Sequence, residues 1–289
     1  MESQENQYRW PKAEAVYPDR PGRSYALKRL RYRLRAFSHR GLIAQFEQFI
    51  NQHPFLVKLL NEHADYSYPL VYRFLDKRFN RKQRFQAICD NLRFLPEKLT
   101  ALSTPIYKTP LSFGVVIPDF EMTLSMTTHQ PMEGYWVLEL WHKPRNELVY
   151  LLTFAKLGES LLISVVQGPN FEGSKEMVKQ LTKTCHGLRP AYLMVETMKA
   201  LTKVLGFNQL LGIPQKYQNK SRFIQSSHYV VDYDAIFAES GGQLKDYWEL
   251  PLEIDRNLDE VPSKKRSMYR KRYAMLDDLA KVIEEKLEL

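Results

Sequence analysis

Residues 135–166 carry Tyr135-Trp136-Val137-Leu138-Glu139-Leu140-Trp141-His142, then Lys143-Pro144-Arg145-Asn146, then Glu147-Leu148-Val149-Tyr150-Leu151-Leu152-Thr153-Phe154 and, beyond Gly158, Leu161-Leu162-Ile163-Ser164-Val165-Val166. Three runs rich in aromatic and β-branched residues, joined by short polar turns, predict an antiparallel meander. The last run is apolar almost throughout, which predicts a central strand buried on both faces. Two shorter β-prone runs, 113–117 and 122–126, lead into it.

Upstream the period changes. Residues 1–23 hold Pro11, Pro18 and Pro21 and read as an extended arm. From 24 to about 105 the spacing is helical and the region is basic. Leu27, Leu30, Leu34 and Phe37 form one stripe, Leu42, Phe46, Phe49 and Ile50 a second. Phe55, Leu56, Leu59 and Leu60 form a third after Pro54, and Leu70, Phe74, Leu75 and Phe79 a fourth. The first stripe lies among arginines. Packing against neighbouring helices is the expected use for it, and lying on a membrane surface is the alternative.

Downstream, 174–185 has a helical face of Met177, Val178, Leu181 and Cys185. Pro190 suits the first position of a further helix, which Gly206 would cap. Residues 210–214 read as a short buried strand, and 229–231 and 247–250 as later β material. A basic helical tail fills 256–289. The expected organisation is therefore an arm, a basic helical region (24–105), an α/β domain (106–255) and the tail. The fold class is α+β, with a mixed, mostly antiparallel sheet and flanking helices.

The chain has 289 residues, 44% of them apolar, 26% charged and 12% aromatic, which excludes a disordered polymer. No run reaches the length of a membrane-spanning helix, and the polar first residues do not suit a secretory signal. Cys89 and Cys185 lack metal-like spacing and are expected to be buried free thiols in a reducing cytoplasm. The net charge of +9 gathers in clusters: eight Lys or Arg and no acid over 20–40, six over 73–84, six over 264–272. Such clusters fit an anionic membrane surface, an acidic carrier protein or, less well, nucleic acid. The expected location is cytoplasmic, with peripheral attachment at the inner membrane as the refinement.

Only 12 glycines occur, and seven of them fall within 166–254. Glycine collects where backbone must turn or approach closely, so the working end is expected there. His186-Gly187-Leu188-Arg189-Pro190 at a helix start is the leading candidate, since free N–H groups and the dipole favour an anion. Gly187 would allow close approach, Arg189 would bind phosphate, and His186 could donate or act as base. Lys220 and Arg222 lie in a polar turn after the short strand. Asp232 and Asp234, two apart, read either as facing carboxylates on a strand or as a turn with an Asp capping the next helix. Glu249 would be a general base if it faces a pocket. No zinc spacing, triphosphate loop, nucleophile elbow or nucleic-acid module is found.

Meander, long helix, short strand and mixed end follow the order of the acyl-CoA-dependent N-acetyltransferase fold, which this chain resembles at that level. The family's glycine-rich turn after the central strand is replaced here by the piece 174–185. At the level of words, 167–273 resembles the VirK/YbjX family of Gram-negative bacterial proteins. The match rests on residues 186–190, 220–222, Tyr229, 232–234, 239–242, 248–251 and 262–267. The resemblance implies virulence, envelope and stress contexts, without a reaction. The expectation is an acyltransferase that takes an acyl group from a CoA-type or carrier-bound thioester donor to an amine or hydroxyl. Gly187, Arg189, Lys220 and Arg222 would hold CoA or acyl-CoA, and His186, Asp234 or Glu249 would move the proton. The alternative is a non-enzymatic adaptor whose basic patches bind anionic lipid or nucleic acid.

Overall fold

The structure is a computed structural model that describes residues 7–127, 130–219 and 231–287. It opens with a short helix, α1 (Ala13–Val16), followed by α2 (Ala26–Ser38), α3 (Arg40–Asn51) and α4 (Pro54–Glu62). The stretch read as an extended arm contains α1 and is tied to the helices that follow. Tyr8 is fully buried, its hydroxyl donates to Ser67 Oγ at 2.8 Å, and its N–H donates to Asn51 Oδ1 at 2.8 Å. The second and third stripes bury Phe46, Ile50, Leu56, Leu59 and Leu60 as their spacing predicts.

Two expectations fail here. The fourth stripe is not a helix: after short 3-10 turns the chain runs irregularly to Asn80, with Leu75 at φ 53° and its N–H donating to the Met132 carbonyl. Pro69 lacks an N–H for a continuing helix, and the apolar residues are buried by tertiary contact instead. Helix α5 (Arg81–Lys98) begins only afterwards, where Asn80 and Gln83 form a reciprocal capping box. The first stripe does not pack inward either. Leu27, Leu30, Leu34 and Phe37 stand exposed, and Tyr32 is the side chain that α2 buries.

The predicted meander is present as β1 (Leu111–Ile117), β2 (Phe120–Met126), β3 (Trp136–His142), β4 (Glu147–Leu157) and β5 (Ser160–Gln167). Each strand pairs antiparallel with the next. β5 is buried along nearly its whole length. Helices α6 (Ser174–Thr184) and α7 (Pro190–Val204) follow, then β6 (Leu210–Gly212), α8 (Tyr233–Glu239), β7 (Gln243–Leu244), β8 (Trp248–Leu250) and α9 (Ser263–Leu287). The eight strands form one sheet in the order β1-β2-β3-β4-β5-β6-β8-β7, in which β5–β6 is the parallel pair. Of the strand expected over 229–231, Tyr229 and Val230 lie outside the described residues, and Val231 is in no strand.

Asn91 fastens α5 to the sheet: its side chain accepts from the Lys156 N–H and donates to the Lys156 carbonyl, while its own carbonyl accepts from Trp136 Nε1. α7 lies against β4 and β5, and α9 against α7 and β1. The final turns of α9 bury Leu276, Leu279, Ile283 and Leu287. Buried side chains form one cluster from Tyr8 to Leu287. The fold is α+β, with helices before the mostly antiparallel sheet and on its flanks. Among the described residues no helix is long and apolar enough to cross a membrane. Cys89 and Cys185 are buried free thiols, and burial pushes the Cys185 thiol up to about 12.

Candidate functional site

β5 and β6 pair only over 161–163 and 210–212, closed by the Ile213 N–H on the Ile163 carbonyl at 3.0 Å. β5 then runs on to Gln167 beside β4 alone. β5 therefore outruns β6, and a cavity of about 310 Å³ lies in the fork left beside the end of β5. Val166 and Gly168 line it from the end of β5, and Tyr150 from β4. The first turn of α7 contributes Arg189, Pro190, Ala191 and Tyr192; the segment beyond β6 contributes Asp232, Ala235, Ile236 and Glu239. Aliphatic floor and polar rim are the usual make-up of a small-ligand site.

Local sequence explains why these groups meet. Pro190 opens α7 with Arg189 as its N-cap residue, whose carbonyl accepts from the Tyr192 and Leu193 N–H groups, so the helix start sits at the fork. Asp232 caps α8 by accepting from the Ala235 N–H at 2.9 Å. Glu239 sits seven residues further on, two turns along the same face. There its Oε2 accepts from Tyr192 Oη at 2.6 Å and from Arg189 Nη2. Arg189 also donates to Tyr192 Oη at 2.9 Å, with its guanidinium carbon 4.5 Å from that ring's centroid. Burial, then the hydrogen bond to Glu239, push the Tyr192 phenol up to about 12. Burial likewise raises Tyr150. A Cβ on Gly168 would come within 3.1 Å of the Tyr150 ring, so glycine there lets the phenol lie against the chain.

Of the residues that the sequence singles out, Arg189 lines the cavity. His186 and Gly187 do not. They close α6 in a Schellman motif, with the Gly187 N–H on the Thr182 carbonyl at 2.8 Å and the His186 N–H on the Lys183 carbonyl at 3.1 Å. Both have positive φ, 51° and 77°. The His186 carbonyl accepts from Arg272 Nε and Nη2 of α9, and a Cβ on Gly187 would lie 3.2 Å from Arg272 Nη2 and 3.3 Å from Met268. The close approach that Gly187 permits is to a helix, not to a cofactor.

Asp234 is also used structurally. Its Oδ1 accepts from the Gln215 N–H at 3.0 Å and from Trp248 Nε1 at 2.7 Å, which ties the loop after β6 to β8. Asp232 and Asp234 stand at a helix start, so the strand with facing carboxylates is replaced by a cap. Glu249 lies in β8 opposite Leu211 and pairs with Lys245 at 2.6 Å, outside the cavity lining. Lys220 and Arg222 lie outside the described residues. Sequence reasoning missed Tyr150, Tyr192 and Glu239. The two-turn spacing from Asp232 to Glu239 was the available signal for the last.

Residues 21–285 match the family described as protein of unknown function (DUF535). An uncharacterized protein of Haemophilus influenzae is 80% identical over 282 residues, 98% of this chain and 97% of its own length. A Mannheimia haemolytica protein named membrane protein LapB is 64% identical over 216 residues, 75% of this chain and 96% of that one. The uncharacterized protein YbjX of Escherichia coli is 25% identical over 279 residues, 89% of this chain and 83% of that one. No solved structure matches.

Proposed function

The chain belongs to the DUF535 family, and we propose that it transfers an acyl group from a CoA-type or carrier-bound thioester to an amine or hydroxyl in the fork between β5 and β6. The observation that carries this reading is the fork itself. Pairing of the two parallel strands stops short of the end of β5, and an aliphatic cavity with a cationic and a carboxylate side chain opens there beside a helix start. A volume of about 310 Å³ suits the acyl-thioester end of a donor rather than a whole CoA-type carrier. The phosphate end of the donor would then lie towards Arg189 and the first turn of α7, where the guanidinium and the positive end of the helix dipole favour it.

Chemically, the nucleophile attacks the thioester carbonyl, a C–N or C–O bond forms, and the C–S bond breaks. Glu239 takes the proton from the nucleophile, and Tyr192 gives one to the departing thiolate. The hydrogen bond between them, 2.6 Å long, returns the proton from Glu239 to Tyr192 and closes the cycle. Arg189 holds the Glu239 carboxylate in place beside Tyr192. A thiol-release assay with acetyl-CoA and long-chain acyl-CoA, with a panel of amine and alcohol acceptors, tests this. Release that needs an acceptor and is lost in Glu239→Gln supports transfer. Release that is absent with every donor, or unchanged in Glu239→Gln, rejects it.

A further inference from the structure

Four of the six large hydrophobic side chains that stand exposed among the described residues lie on α2. Leu27 is 59% exposed, Leu30 50%, Leu34 63% and Phe37 72%. Their spacing of three, four and three residues places them on one helix face. Arg29, Tyr32 and Ala36 occupy the opposite face. Tyr32 is buried, stacks on Trp10 with ring centroids 6.0 Å apart, and donates to the Pro11 carbonyl at 2.9 Å. α2 is thus fixed by its inner side, and the apolar stripe points away from the core.

Arginine borders the stripe on both sides. Arg31 falls four residues after Leu27 and three before Leu34; Arg33 falls three after Leu30 and four before Phe37. Over residues 20–40 there are eight Lys or Arg and no acid. Among the described residues, the ion pairs on α2 join Arg29 to Asp19 and Arg33 to Glu14, which leaves Lys28, Arg31 and Arg35 without a carboxylate. Arg31 is exposed beside the stripe, and Arg23, Lys28 and Arg40 are exposed elsewhere on α2 and at its ends.

We propose that α2 is an in-plane membrane anchor, whose Leu27–Leu30–Leu34–Phe37 stripe enters the acyl boundary of a bilayer rich in anionic phospholipid while its flanking arginines meet the phosphates. Charge decides the occupant. A second copy laid stripe to stripe would bring Arg31, which has no carboxylate partner among the described residues, against the same basic border, and that repulsion opposes self-association. Anionic lipid offers an apolar layer and negative headgroups at the depth where this helix presents leucine and arginine. The stripe spans about 15 Å at 1.5 Å per residue, enough for one face of a helix lying along the interface. The anchor is independent of any acyl transfer in the fork.

The experiment is co-sedimentation of the full chain with phosphatidylcholine vesicles that contain phosphatidylglycerol and with vesicles of phosphatidylcholine alone. It compares wild type with the combined Leu27→Ser, Leu30→Ser, Leu34→Ser and Phe37→Ser variant and with Lys28→Glu/Arg31→Glu. All the replaced side chains are exposed, so circular dichroism and melting should match wild type. Wild type should bind the anionic vesicles, and each variant should partition more than about tenfold less, since apolar insertion and charge act together. The proposal is overturned if wild type ignores anionic vesicles, or if the serine variant binds as well as wild type. It is also overturned if light scattering shows a dimer that the serine variant converts to monomer, because the stripe would then be a self-interface.

Discussion

Tyr192 and Glu239 meet at the mouth of the fork, the phenol donating to Oε2 at 2.6 Å although 47 residues separate them in sequence. The contact joins the first turn of α7 to the last turn of α8, so the cavity wall depends on both caps being correct. The carboxylate also disfavours ionisation of the phenol. Glu239→Gln should therefore lower the pKa of Tyr192 from about 12. Ultraviolet titration of the phenols, compared with Tyr192→Phe, reads this directly. An unchanged titration would mean that the two groups do not touch in solution.

The reassignment of residues 186–187 is tested by stability. His186→Gly should change the unfolding free energy by less than about 1 kcal/mol, since glycine accepts positive φ and gives back the gain as unfolded-state entropy. Gly187→Ala should cost about 1–3 kcal/mol, from strain at φ 77° and crowding against α9. Urea denaturation ranks the two. The reverse ranking would contradict the Schellman assignment.

Asp234 supports two donors at once, so Asp234→Ala should destabilise the fold by about 1–3 kcal/mol per donor left unsatisfied. Asn in its place keeps an acceptor oxygen and should recover most of the loss. If Asp234→Ala melts like wild type, the link between the Gln215 turn and Trp248 does not hold β8.

Acid should loosen the N-terminal helices. His39 closes α2, its Nδ1 lying 2.8 Å from the Arg35 carbonyl and its Nε2 3.2 Å from Arg84 Nη2. Burial, then the guanidinium groups of Arg81, Arg84 and Arg35, hold its pKa below the ordinary imidazole range. The folded state therefore binds fewer protons than the unfolded chain, and stability rises with pH across the window. The melting temperature should fall as pH drops below about 6.5, the ordinary value, and His39→Gln should flatten that slope. A slope unchanged by the substitution would assign the acid sensitivity elsewhere.

The sheet was legible because strand signals are local. Alternation and polar turns at residues 143–146 and at Gly158 are enough to set a meander, and apolar continuity over 161–166 is enough to place β5 in the interior of the sheet. Helical periodicity says which residues share a face but not what covers that face. That is why Leu27 and Phe37 were expected to pack and instead stand exposed, and why Leu70 and Phe74 are buried without a helix. At the site, Pro190 announced the helix start and Arg189 its charge. Glu239 arrives from beyond β6, and only the tertiary fold brings it to Tyr192. His186 and Gly187 mislead because a helix stop and an anion cradle use the same residues.

Thermal-shift titration with CoA, acetyl-CoA and long-chain acyl-CoA, on wild type and Arg189→Ala, tests the acyl-donor site most directly. It should be run at low salt and at about 0.3 M, where screening leaves surface charge little reach. The account predicts a saturable rise in melting temperature that persists at the higher salt, as linkage requires for a ligand of the folded state. Arg189→Ala should melt like unliganded wild type and lose the shift. A shift that salt erases, or one that Arg189→Ala retains in full, would contradict a donor site in the fork.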